Sequence, residues 1–185
     1  KPLLVIGDDV RWSEPYAEMR ALVDRLQLPF VTSRMARGFL PDDHALCFNR
    51  VRRFAQSNAD VVLMLGVRLD WSYRFGGDFS VDATLLQVAH DPADIGLNRT
   101  PTIGVSGDMR RILMELLSLI PESGMGKTTL DSWSDWLSAL QTECARKRAA
   151  SDELTREGDI PMSPHRLMKE LRDVLPENAV CVLDG

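Results

Sequence analysis

The sequence predicts an α/β fold: a mostly parallel, Rossmann-like sheet of six strands with helices on both faces, occupying about residues 1 to 120. Three observations carry this. Short apolar runs, each closed by glycine, proline or an acidic residue, recur at Leu3 to Ile6, Pro29 to Thr32, Asp60 to Gly66, Thr84 to Val88 and Thr102 to Val105. Stretches with helical spacing separate several of these runs, and strands that alternate with helices imply an open parallel sheet. In Asp60-Val61-Val62-Leu63-Met64-Leu65-Gly66 every interior position is apolar, as a strand covered on both faces requires.

Taken in order, the first run ends at Gly7-Asp8-Asp9, and Ser13 offers an N-cap for a helix to Leu26. The second run leads into a long loop with Gly38 and Pro41, then a helix to about Phe54-Ala55. The third ends at Gly66, and the fourth follows a loop with Gly76-Gly77. After the fifth, Asp108 to Leu119 has apolar residues at helical spacing. The character changes beyond Ile120. Residues 121–162 read as a linker, Pro121 to Gly126, followed by an amphipathic helix from about Leu130 to Arg148 that carries Trp133 and Trp136. These two indoles are expected to pack against a neighbouring domain or subunit. Residues 163–185 open another α/β unit: Ser163-Pro164 is an N-cap with proline at the first helical position, and a strand follows at Ala179 to Leu183.

Composition narrows the function. Of 185 residues 44% are hydrophobic and 26% charged, enough for one full core. The net charge of −5, with basic residues dispersed, leaves no footprint for a nucleic-acid backbone. No apolar run approaches the roughly 20 residues that span a bilayer, so no membrane partner is expected. Cys47, Cys144 and Cys181 are three and far apart, which fits free thiols and a cytoplasmic setting. The missing initiator methionine and the stop at Asp184-Gly185, directly after an apolar run, read as the ends of a piece cut from a longer chain.

Ligands of open α/β sheets bind beyond the carboxyl ends of the strands. Arg68, two residues past a strand end, is placed to reach a phosphate or stack on adenine, or else to pair with Asp70. His90 and Asp91 directly follow a strand; Asp91 has the chemistry to bind a ribose hydroxyl or to favour a helix start. Gly107-Asp108 opens a helix with the same ambiguity. His44 and His165 read as surface or capping residues, and the histidines and cysteines lack the spacing of a metal site. Gly124 to Thr129 fails as a phosphate loop, because the glycine required five residues before Gly126 is Pro121.

The runs Met35 to His44 and Ala59 to Asp70, then Leu86 to Asn98 and Val105 to Asp108, in this order and spacing, closely resemble the central domain of thiamine-diphosphate-dependent enzymes. Ser163 to Gly185 resembles the start of their C-terminal, diphosphate-binding domain. The wording fits both the acetolactate synthase-like branch and the 2-hydroxyacyl-CoA lyase and oxalyl-CoA decarboxylase branch. The resemblance implies a parent that forms or cleaves a carbon–carbon bond next to a carbonyl, with thiamine diphosphate and magnesium as cofactors. It also implies that the parent is a homodimer or tetramer whose partners are the remaining domains of the same chain.

In such enzymes the central domain binds FAD, ADP or the CoA nucleotide, or nothing. By position, Arg68 would contact the nucleotide, the Ala89-His90-Asp91 turn would meet adenosine, and Gly107-Asp108 would close the pocket. The chain departs from the pattern at Ala89, usually acidic, and at Gly7-Asp8-Asp9 in place of a glycine-rich turn. The family's catalytic glutamate and magnesium-diphosphate motif are absent, so no catalytic or metal-ligating residue is assigned and the 185 residues are expected to be inactive alone. Two rivals are a free-standing FAD- or NAD-type nucleotide-binding module and a spacer whose nucleotide pocket has decayed.

Overall fold

The computed structural model describes residues 1–124, 126, 131–155 and 160–182. The chain forms two units, residues 1–142 and 143–185. In the first, β1 (Pro2–Ile6) leads through α1 (Val10–Ser13) and α2 (Tyr16–Leu26) to β2 (Phe30–Thr32). Next come α3 (Arg52–Asn58), β3 (Val61–Leu65), β4 (Thr84–Ala89), β5 (Ile103–Ser106) and α4 (Met109–Ser118). The sheet order is β2-β1-β3-β4-β5, every pair parallel. Thr32 and Leu65 stand opposite Ile6, Val88 opposite Leu65 and Val105 opposite Val88, so all five strand ends are level to within one residue. The loops that follow them therefore gather along one margin of the sheet.

The α/β class is as expected; the strand count is not. Five strands form among the described residues, and the sixth position is a single parallel bridge between Phe30 and Cys47. There Phe30 N–H donates to Leu46 O and Phe48 N–H to Phe30 O, each at 2.9 Å. The segment turns at His44 and again at Asn49, leaving too few extended residues for a ladder. The helix expected to follow Ser13 begins instead at Tyr16, and Ser13 ends a separate short helix, α1. Glu14 leaves the right-handed α region, which the following Pro15 disfavours, and closes α1 as a left-handed C-cap at φ 44°, its N–H donating to Val10 O.

One sheet face, with Leu4, Ile6, Leu65 and Val88, packs against Met19, Leu22 and Val23 of α2 and Met109 and Leu113 of α4. On the other, Leu3, Val5, Val62, Met64 and Leu85 are buried. Trp136 packs on the sheet domain that precedes its helix, as the expectation of packing on a neighbouring domain has it. It is buried in the first unit, stacks on Phe54 with ring centres 6.2 Å apart, and its Nε1 donates to Pro2 O at 2.9 Å. Gly7 is fixed by a close approach: a Cβ there would lie 2.3 Å from Gly66 O.

The helix predicted from Leu130 is α5, Ser134–Leu154, and continues into the second unit from Glu143. That unit also holds α6 (Pro164–Val174), capped as predicted by Ser163, whose Oγ accepts the Arg166 N–H at 3.2 Å. The strand expected at Ala179 to Leu183 does not form over 179–182, since the described residues of this unit include no sheet to receive it. Leu183, Asp184 and Gly185, like Lys127 to Thr129 of the rejected phosphate loop, lie outside the described residues. No described helix is long and apolar enough to cross a membrane.

Candidate functional site

Six aspartates stand within five residues of a strand's carboxyl end: Asp8 and Asp9 after β1, Asp70 after β3, Asp91 and Asp94 after β4, and Asp108 after β5. Two guanidinium groups, Arg34 after β2 and Arg68 after β3, face them. Arg34 bridges two loops, with Nη2 2.7 Å from Asp8 Oδ2 and Nη1 3.2 Å from Asp70 Oδ2. Asp8 Oδ1 accepts the Met35 N–H at 3.1 Å, so both its oxygens are held by the segment after β2. Asp9 Oδ2 accepts the His90 N–H at 3.3 Å, tying the turn after β1 to the turn after β4.

Electrostatics follow from these contacts. Partial burial opposes the charge on Arg34, but Asp8 and Asp70 outweigh it and hold the guanidinium above its ordinary value. Burial likewise pushes Asp70 up, and the Ser72 hydroxyl and N–H, at 2.6 and 2.9 Å, together with Arg34 bring it below the usual carboxylate range. Asp94 goes the other way. Burial raises it, neighbouring Asp9 and Asp91 add to the rise, and the Arg68 Nε at 3.2 Å only partly offsets them.

The sequence-predicted residues lie side by side at the ends of β3, β4 and β5. Arg68 pairs with Asp94, not Asp70, and its side chain is 60% exposed. His90 is exposed. Asp91 Oδ1 accepts the Ala93 N–H at 2.9 Å, starting a 3-10 turn at Pro92–Asp94. Gly107 N–H donates to Ala89 O at 3.1 Å, joining two of the loops. Asp108 caps α4, with Oδ1 accepting the Arg111 N–H at 3.0 Å and Oδ2 the Ser13 hydroxyl at 3.0 Å. These bonds hold its carboxyl below the ordinary range. Ser13 thus serves α4 across the fold rather than starting α2.

Sequence reasoning missed Arg34, Asp94 and Tyr73. Arg34 sits two residues past β2 and Arg68 three past β3, and the same positional rule finds both. Tyr73 is buried, with its hydroxyl 2.7 Å from Ser33 Oγ and the Arg52 guanidinium 5.6 Å from its ring centre. Its role depends on the fold of the loop at Trp71–Gly76, where Arg74 and Phe75 are left-handed.

The arrangement does not fit a bound diphosphate. A phosphate about 4 Å from the Asp8 or Asp9 carboxylate would meet repulsion on the order of 4 kcal/mol at an effective dielectric near 20. A helix N-terminus returns roughly 0.3–1 kcal/mol, and α1 is only four residues long. Nor do the described residues include a group of three His, Cys, Asp or Glu placed to hold a metal ion.

Comparison with known proteins agrees with this architecture. Residues 1–116 match the family described as thiamine pyrophosphate enzyme, central domain. The chain is 27% identical to mouse (Mus musculus) 2-hydroxyacyl-CoA lyase 1 over 192 aligned positions, covering 100% of the chain and 32% of that protein. It is 30% identical to Escherichia coli K12 oxalyl-CoA decarboxylase, covering 96% and 31%. It is 31% identical to the acetolactate synthase large subunit IlvG of Mycobacterium tuberculosis, covering 100% and 32%. The chain thus spans about a third of the length of the curated relatives it matches. On the match over residues 1–116 and the five-stranded parallel sheet they build, the chain belongs to the thiamine pyrophosphate enzyme family and carries its central domain.

Proposed function

We propose that the chain is the non-catalytic central scaffold of a thiamine-diphosphate-dependent, acetolactate synthase-like enzyme that forms or cleaves a carbon–carbon bond next to a carbonyl, and that its strand-end crevice holds no dinucleotide. The coenzyme, when bound by the parent, supplies a carbanion nucleophile and electron sink. The residues of this chain contribute no proton transfer to that chemistry. Their work is structural: the Arg34, Asp8 and Asp70 network and the Asp9 bond to His90 fix the loops to one another. The observation that carries the scaffold reading is Asp8, both of whose carboxylate oxygens are engaged where a nucleotide phosphate would lie.

A second reading is favoured by the relatives named 2-hydroxyacyl-CoA lyase and oxalyl-CoA decarboxylase. In it the parent acts on a CoA thioester, and the solvent-facing Arg68 meets the CoA nucleotide while His90 and Asp91 meet adenosine. Calorimetric titration of the 185-residue chain with FAD, ADP, coenzyme A and NAD separates the two. No saturable heat with any of them is the scaffold result. Binding of ADP and coenzyme A that disappears in Arg68→Ala establishes the second reading, and tight binding of NAD alone contradicts both.

A further inference from the structure

The sheet face that packs on α2 and α4 is not fully covered by the described residues. Leu63, Leu86 and Ile103 lie side by side in register across β3, β4 and β5, with Val105 beyond them. Together with Ile112 and Leu116 of α4 they line an open apolar cavity of about 420 Å³, within the first unit. That volume falls in the range of roughly 300–1,000 Å³ that accommodates drug-sized molecules. Ile103 is 55% exposed and Val105 40%, both on a strand whose four residues are all exposed.

On this face α2 and α4 pack over Leu4, Ile6, Leu65 and Val88, while the edge strand β5 stays exposed among the described residues. The lining is polar at one residue, Gln87, whose side-chain Nε2 is already committed to Val67 O and Asp94 O. A small-molecule site would place a few polar groups to orient its ligand. One free polar atom remains at the cavity wall residues: the indole Nε1 of Trp133, buried and without a hydrogen-bond partner among the described residues.

We propose that this groove is the seat of an amphipathic helix supplied by the part of the parent enzyme outside these 185 residues. Its apolar face would fill the space over Leu63, Leu86 and Ile103, and one oxygen would accept the Trp133 N–H. The curated relatives extend to about three times the matched length, so chain for such a segment exists in proteins of this family. A helix is the element that closes the face of a parallel sheet, and it supplies aliphatic bulk without demanding further polar partners. The inference is independent of whether the crevice binds nucleotide.

The test compares Ile103→Lys in the 185-residue chain and in the full-length parent. In the chain the position is exposed, and the melting temperature is expected to fall by no more than about 3 °C. In the parent it is expected to fall by roughly 8 °C or more, and the β5 and α4 amides of the unsubstituted parent to exchange at least tenfold more slowly than those of the chain. Equal melting losses and equal exchange overturn the proposal. So does sedimentation of the chain as a dimer that the substitution converts to monomer, which assigns the groove to a second copy. A small molecule carried by the purified chain in native mass spectrometry, and lost in the variant, overturns it in favour of an apolar ligand.

Discussion

The strand-end crevice and the apolar groove belong to one sheet but are in opposite states. In the crevice the carboxylates of Asp8, Asp70, Asp94 and Asp108 each have a named partner: Arg34, Ser72, Arg68 or a helix N-terminus. In the groove the side chains of Ile103 and Val105 face solvent, and the Trp133 N–H has no partner among the described residues. The crevice is complete within this chain; the groove is not. Buried polar groups without partners cost more than well-paired ones contribute, so a region that partners its own charges no longer depends on a ligand. A region of uncovered aliphatic surface does depend on one, because the free energy lies in removing that surface from water.

Substitutions can break this contrast, beginning with the largest effect. Gly7→Ala places a methyl 2.3 Å from Gly66 O, at the turn that carries Asp8 and Asp9, and is expected to cost about 3 kcal/mol or more. Urea unfolding monitored by circular dichroism measures it, and a loss under 1 kcal/mol would show that the turn yields. Trp136→Ala removes the stack on Phe54 and the bond to Pro2 O, for an expected loss of about 3–5 kcal/mol in the same assay. A surface or interface tryptophan would lose far less.

Smaller effects test the crevice itself. Asp70→Asn is expected to cost about 1 kcal/mol at pH 7 through the Arg34 pair and the Ser72 bonds. The sign of its pH dependence follows from the folded-state carboxyl lying below its ordinary value. Its contribution is fully present above the unfolded-state value and is lost as the pH falls through the folded-state value. Wild type and variant should therefore converge in acid, below roughly pH 4. Asp94 lies above its ordinary value, so its ionisation opposes folding and stability is gained as the pH falls through that raised value. Stability curves that diverge in acid for Asp70→Asn would contradict the assignment. Ser13→Ala is the mildest. It removes the bond to Asp108 and a cap on the Met109 N–H, and should lower stability by roughly 0.5–1 kcal/mol.

Much of the fold was legible because it rests on local pattern. The Val61–Leu65 strand has an apolar interior and a glycine stop, and Ser163-Pro164 is a cap signature that the structure reproduces with a 3.2 Å bond. The break at Glu14-Pro15 was also written locally, in the proline, but a single helical stripe over the segment concealed it. The expected sixth strand does not form, since the segment Leu46–Phe48 makes one bridge where a longer run would make a ladder, and whether a short segment pairs is set by its neighbours rather than by its own pattern. For the site, position after a strand end located Arg68, His90, Asp91 and Gly107-Asp108. Which acid each basic group meets is set by register and loop geometry, so the pairing of Arg68 with Asp94 and of Arg34 with Asp8 and Asp70 is a property of the folded sheet.

The contrast between a self-sufficient crevice and an unfinished groove stands most directly on Asp8 and Asp9. The measurement is calorimetric titration of inorganic diphosphate into the wild-type chain and into a variant carrying Asp8→Gly and Asp9→Gly, with circular dichroism confirming that both are folded. The account predicts no saturable heat for the wild type and binding at least tenfold tighter in the variant. Saturable binding to the wild type that is equal to or tighter than in the variant would contradict it.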